Sequence, residues 1–321
     1  MRHTFGRLAR SRIGALVLGA IVGACGSDVP FEPRPEPEPV PVQPVDPVDP
    51  IPVEPVTPDV PAGIYTAMAD GSNPVRVTMG LYPVWSPDGR HFAFSWAGNV
   101  VVSNVDGTGA TVLAAGDRPS WSPDGSRIAF VNADGITVMN TDGSNPRTLV
   151  PHKFRDDTYR PYDMGVSKPA WSPDGAVIAF EHLGDGETVP AQVFLVNADG
   201  SNVRDPRTAP ERTAYAESDP SWTSDGRLLF WSWFYGIATV DRDGGVPNAL
   251  YYDFPNVAYG TRPFMAPSGG QILFNERAPG PCSVWIMTDP RVAREIIHNG
   301  CNASWSPDGS RIVYTVGLNW S

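Results

Sequence analysis

Five histidines are scattered through the 321 residues. Three of them, His152, His182 and His298, fall in or beside long polar segments between apolar runs. Imidazoles brought together from separate segments could ligate a divalent metal ion. Arginine and tyrosine gather in the same kind of segment: Tyr159, Arg160 and Tyr162; Arg212 and Tyr215; Tyr259 and Arg262. Those two residue types bury large rigid area and keep a polar handle, the chemistry of a binding surface. No Gly-x-Ser-x-Gly elbow, phosphate loop or paired-cysteine metal motif is present. Asn104-Val-Asp106-Gly, Asn197-Ala-Asp199-Gly and Asp241-Arg-Asp243-Gly carry acids at turns. None offers the acidic ladder and closing Glu that calcium requires, and turn chemistry already accounts for Asp-Gly. The expectation is recognition without bond chemistry, with no catalytic residue, metal or cofactor.

These segments are held by a repeat. Trp-Ser-Pro-Asp-Gly stands at Trp85, Trp121, Trp171 and Trp305, with a looser Trp222-Thr-Ser-Asp-Gly226 and a degenerate copy at Met265. The copies begin 36, 50, 51, 43 and 40 residues apart, which marks a repeat architecture. Pro suits the second position of a type I turn and Gly supplies the positive φ that a following bulge needs. Apolar and β-branched residues flank each turn, so each copy is a hairpin. A second hairpin follows, turning on Asp70-Gly71, Asp106-Gly107, Asp142-Gly143, Asp199-Gly200 and Asp243-Gly244, with Asp289-Pro290 in the last copy. Each repeat is then a four-stranded blade. The folded part starts with an unmatched second hairpin, Ile64 to Thr78, and ends with an unmatched first hairpin, Trp305 to Val316. Joining them predicts an all-β, six-bladed β-propeller whose last blade is shared by both ends of the chain. The recurring tryptophans are expected to pack between blades.

The phrase resembles the propeller repeat of the TolB family of periplasmic proteins, over residues 62–321. That resemblance implies the propeller fold and an envelope location. In place of the α/β domain that precedes the propeller in TolB itself, this chain has a proline-rich stretch. Another propeller family, the oligogalacturonate lyases, assembles metal ligands from several blades. A metal-assisted polysaccharide lyase or hydrolase using the scattered histidines is therefore the alternative to a binding role. A passive envelope component is a third possibility.

Residues 1–24 read as an export signal, with Arg2, Arg7, Arg10 and Arg12 before an apolar run from Ile13 to Ala24. Val22-Gly23-Ala24-Cys25 resembles a bacterial lipobox, which implies lipidation at Cys25. Residues 25–61 form a linker, and 13 prolines fall between 29 and 61 with acids among them, a composition suited to an extended spacer. The formal charge is −11, and −15 once the signal is removed. Such a chain does not seek nucleic acid by charge, and its contact with a membrane is expected through the lipid alone. Cys282 and Cys301 remain as a pair suited to an oxidising compartment. Cys282 opens the third strand of its blade and Cys301 lies just past the fourth, and the start of one strand faces the end of the next, so a disulfide is expected.

Blade topology sorts the loops. Both hairpin turns of a blade lie on one face, while the connections from second to third strand and from one blade to the next lie on the other. The extra length, at 150–169, 183–191, 203–220, 251–263 and 276–283, falls on that other face. Insertions gathered on one face of a ring mark a binding face. The reading is an exported, lipid-anchored cell-envelope protein whose propeller holds a protein or peptide partner there, with Tyr159, Arg160, Tyr162, Arg212, Tyr215, Tyr259 and Arg262 as candidate contacts.

Overall fold

The computed structural model describes residues 61–152, 165–183, 190–206, 217–233, 235–251, 260–276, 281–289 and 292–317. All belong to the second of two units, Pro52–Ser321. They form a six-bladed propeller without helices. Blade one is β3 (Leu81–Trp85), β4 (His91–Trp96), β5 (Asn99–Asn104) and β6 (Thr111–Ala115). Blade two is β7 (Asp117–Trp121), β8 (Arg127–Asn132), β9 (Gly135–Asn140) and β10 (Arg147–Pro151). Blade three is β11 (Val166–Trp171), β12 (Val177–His182) and β13 (Gln192–Asn197), with a single bridge from Leu195 to Arg204 at its outer edge. Blade four is β14 (Glu217–Trp222), β15 (Leu228–Ser232), β16 (Gly236–Val240) and β17 (Asn248–Tyr251). Blade five is β18 (Gly260–Met265), β19 (Ile272–Glu276), β20 (Ser283–Asp289) and β21 (Val292–Ile297).

The sixth blade closes the ring. Its strands run β2 (Val75–Thr78), β1 (Gly63–Met68), β23 (Arg311–Val316), β22 (Gly300–Trp305), so the two ends of the chain pair antiparallel, Tyr65 opposite Tyr314. The innermost strands β3, β7, β11, β14, β18 and β22 touch in succession and β22 returns to β3.

Each Ser-Pro-Asp-Gly phrase is a self-contained knot. In the first, the Ser86 hydroxyl donates to Asp88 Oδ1 at 2.5 Å, the Arg90 N–H donates to the same oxygen at 3.0 Å, and the His91 N–H donates to Ser86 Oγ at 2.9 Å. Ser122/Asp124, Ser172/Asp174 and Ser306/Asp308 repeat it, and Thr223 takes the serine's place beside Asp225. These hydrogen bonds favour the ionised carboxylate, so the Asp124, Asp174 and Asp308 pKa values fall to about 2, the serine hydroxyl being the first cause. The Asp-Gly turns are equally local: Asp106 accepts from the Thr108 N–H and hydroxyl, and Asp199 from those of Ser201. The acids at these turns are occupied by their own backbone.

The core lies between blades. An aromatic ring recurs at one position in the middle of every second strand: Phe94, Phe130, Phe180, Phe230, Phe274 and Tyr314, none more than 2% exposed. Burying each such ring contributes about 1.5–3 kcal/mol. Adjacent blades are also stitched by polar contacts. Trp222 Nε1 donates to the Ala170 carbonyl at 3.0 Å and Trp305 Nε1 to the Phe264 carbonyl at 3.1 Å. The Asp-Gly turns lie against the outer strand of the preceding blade; at Gly107 (φ +83°) a Cβ would stand 2.6 Å from the Val77 carbonyl oxygen.

Cys282 and Cys301 are joined, with Cα atoms 5.6 Å apart. Cys301 lies in β22, just past Val292–Ile297, the last strand of blade five, so the bond is not confined to the third and fourth strands of that blade. It crosses from blade five to the closing blade. The Ile297-to-Gly300 turn carries the chain into the innermost strand one residue before the cysteine, which sequence spacing alone does not reveal.

Candidate functional site

Every innermost strand carries the same irregularity. One extra residue is inserted against the second strand, between Leu81 and Val84 in blade one and between Cys301 and Ser304 in the closing blade. Equivalent bulges occur in the other four blades. The bulge centres on a non-glycine residue with positive φ: Tyr82 (51°), Arg118 (55°), Lys168 (51°), Asp219 (56°), Arg262 (54°) and Asn302 (56°). In five of the six copies the next residue is proline, which has no N–H to lose from the ladder. Positive φ at a non-glycine residue costs about 1–3 kcal/mol and persists where the surroundings hold it. Here the neighbouring blade does so. The Arg118 N–H donates to Ser95 Oγ at 2.9 Å, the Asp219 N–H to Glu181 Oε2 at 3.4 Å, and the Asn302 N–H to Asn275 Oδ1 at 3.2 Å.

Six equivalent backbones thus present six positions to the axis of the ring, and five different side-chain types occupy them. Lys168 Nζ bridges two buried carboxylates, Glu181 Oε2 at 2.8 Å and Asp219 Oδ1 at 2.9 Å. Burial pushes the Glu181 pKa up, Lys168 opposes this, and Asp219 adds to it. Burial acts on Asp219 in the same sense, but Lys168 and Arg262 outweigh it and hold that carboxyl below its ordinary value. Tyr82 lies between two guanidinium groups, Arg118 at 4.5 Å and Arg262 at 5.0 Å from its ring centre. The Arg118 Nη2 group donates to the Tyr82 hydroxyl at 3.1 Å, and Arg262 Nη1 donates to Asn302 Oδ1 at 2.5 Å. Burial lowers the Arg262 pKa.

Two cavities open at opposite ends of these strands. On the hairpin-turn face, a funnel of about 340 Å³ is walled by the five anchor tryptophans and by turn prolines. Its floor includes Arg118, Lys168, Asp219 and Arg262. The indole N–H groups of Trp85, Trp121 and Trp171 are buried without an acceptor, unlike those of Trp222 and Trp305. On the long-loop face, a cavity of about 610 Å³ spans the closing blade and blades one and two. Gly63, Gly80, Gly98 and Gly116 line it together with Met79, Trp96, Asp117 and His152. Trp96 is 46% exposed there.

Of the sequence candidates, Tyr159, Arg160, Tyr162, Arg212, Tyr215 and Tyr259 lie outside the described residues. Arg262 is described, and it does not stand on the long-loop rim. It belongs to β18 and lines the funnel on the other face. His152 Nδ1 accepts from the Val166 N–H at 3.3 Å, and His298 Nδ1 pairs with Glu295 Oε1 at 2.9 Å. Among the described residues no three His, Cys, Asp or Glu side chains are grouped to hold a metal ion. Tyr82, Arg118, Lys168 and Asp219 are site residues that sequence reasoning misses. Their signal is an X-Pro pair that begins three residues before Trp85, Trp121, Trp171, Trp222 and Met265, hidden beside the louder turn motif.

No protein-family model matches the chain, and no curated protein matches it in sequence. Solved structures do. A protein from Agrobacterium tumefaciens described as a TolB superposes with TM-score 0.64 at 18% identity, covering 81% of this chain and 99% of the other. The chain shares the propeller fold of TolB. TolB from Acinetobacter baumannii matches with TM-score 0.52 at 15% identity, over 74% of this chain and 63% of that one. An oligogalacturonate lyase from Vibrio parahaemolyticus matches with TM-score 0.51 at 14% identity, over 76% and 79%. The ring is therefore a fold that TolB and an oligogalacturonate lyase share, and function must be argued from the residues here.

Proposed function

We propose that this protein is a non-catalytic envelope component whose propeller holds a protein or peptide partner on the long-loop face. The long-loop cavity carries the reading: its volume of about 610 Å³ suits a bound segment, and Trp96, 46% exposed, and Asp117 both line it. Tryptophan is among the residues that most often carry the energy of an interface. The export signal, Cys25 and the proline-rich linker support placement of the ring at the end of a lipid-anchored spacer.

The test is affinity purification from detergent-solubilised envelope with the full-length protein and its Trp96→Ala variant. A partner held by the first should be lost, or held about tenfold or more weakly, by the second at unchanged melting temperature. Equal capture by both would remove the long-loop cavity from the reading. The same preparation tests the lyase alternative, which requires stoichiometric metal and activity lost in His152→Ala or His182→Ala.

A further inference from the structure

The funnel on the hairpin-turn face is a second site, independent of the long-loop cavity. Its walls are apolar tryptophan and proline surface and its floor is charged. The charges there are unevenly answered. Lys168 is held by two carboxylates, and Arg118 lies 3.7 Å from Asp117. Arg262 has no carboxylate within ion-pair distance among the described residues; its partners are the Asn302 amide and the face of Tyr82. Asp219 acts on Arg262 from beyond contact distance, and a cation taken out of water without a carboxylate in contact still favours an anion beside it. The acids of the neighbouring turns do not answer it: Asp88 and Asp308 are turned onto their own serine and backbone N–H, and Asp174 does the same and also pairs with Arg242.

From this we infer that the funnel captures the free carboxyl end of an extended apolar peptide. The carboxylate meets Arg262 and Arg118, and the last side chains lie against the tryptophan and proline wall. Guanidinium groups suit a carboxylate because their parallel N–H donors match its two oxygens. A carboxylated sugar fits the floor but not the wall. The wall hydroxyls are engaged: Ser120 accepts from the Trp171 N–H, Ser221 donates to the Pro263 carbonyl, and Ser306 donates to Asp308. A sugar's own hydroxyls would be stranded against apolar surface.

The probes are acetyl-Pro-Pro-Leu with a free carboxylate and the same peptide as its C-terminal amide. They are titrated into the full-length protein by calorimetry and by tryptophan fluorescence, since five indoles line the funnel. The acid should bind saturably, and the amide about tenfold or more weakly. Arg262→Gln should erase that difference, and Trp96→Ala on the opposite face should leave it intact. Should Arg262→Gln fail to fold, Arg118→Gln carries the same comparison, and the acid-to-amide ratio needs no variant at all. Equal binding of acid and amide, or no saturable response at millimolar peptide, overturns the proposal. So does a short oligouronide that binds where the peptide acid is silent, which would make the funnel a glycan site.

Discussion

Lys168 answers two buried carboxylates at once, and its removal should expose their cost. Lys168→Met leaves Glu181 and Asp219 side by side without the cation that bridges them, and breaking a buried pair from one side costs about 3–5 kcal/mol. The sign with pH follows from where the protons go. Carboxyl groups whose folded pKa is raised bind more protons folded than unfolded, so stability rises as pH falls toward their unfolded values. Urea melts of Lys168→Met should therefore show a deficit at neutral pH that shrinks on acidification toward pH ~4. A pH-independent deficit would mean that packing, and not charge, is what Lys168 supplies. The turn acids run the other way. Asp124 is held at about 2, so its contribution is present above its unfolded pKa and lost as pH falls through that range. In Ser122→Ala, carboxyl NMR should find the Asp124 pKa raised toward the ordinary aspartate range.

A blade is legible in sequence because its two turns announce themselves. Trp85, Trp121, Trp171, Trp222 and Trp305 and the Asp-Gly pairs place the hairpins and the closing half-blades correctly. Contact between blades is not legible in the same way. The Glu181–Lys168–Asp219 bridge joins residues from three different strands, and only the ring geometry sets them together. The Cys282–Cys301 pairing is legible, but which blade Cys301 joins depends on the turn after Ile297. Arg262 reads as part of a long loop because β18 begins within the insertion. At this scale the turn glycines separate two effects. Gly98 (φ +75°) has nothing within 4 Å of the place a methyl would take, whereas at Gly107 a Cβ meets the Val77 carbonyl oxygen at 2.6 Å. Gly98→Ala should cost about 1–2 kcal/mol for backbone conformation alone. Gly107→Ala should cost about 1–3 kcal/mol more, because the turn must lift off the preceding blade. Equal losses in denaturant titrations would show that the turn does not depend on that seat.

The whole ring is closed by hydrogen bonds between its two ends and by one covalent link beside the closure. The loop that Cys282–Cys301 ties spans 19 residues, a length for which the chain-entropy account gives about 3 kcal/mol. Reduction, or Cys282→Ser, should lower the melting temperature by about 5–10 °C. An unchanged melting temperature would mean that the non-covalent contacts between blade five and the closing blade already hold the ring.

The shared blade also sets a clock. β1 is the first strand of the ring to leave the ribosome, and its inner neighbour β23 is the last. At about 5–20 residues per second, the roughly 250 residues between them take on the order of 12–50 s to synthesise. Until β23 arrives the inner edge of β1 is open and the blades accumulate as an unclosed arc, so a truncation that removes Arg311–Val316 leaves that edge of the first strand unpaired.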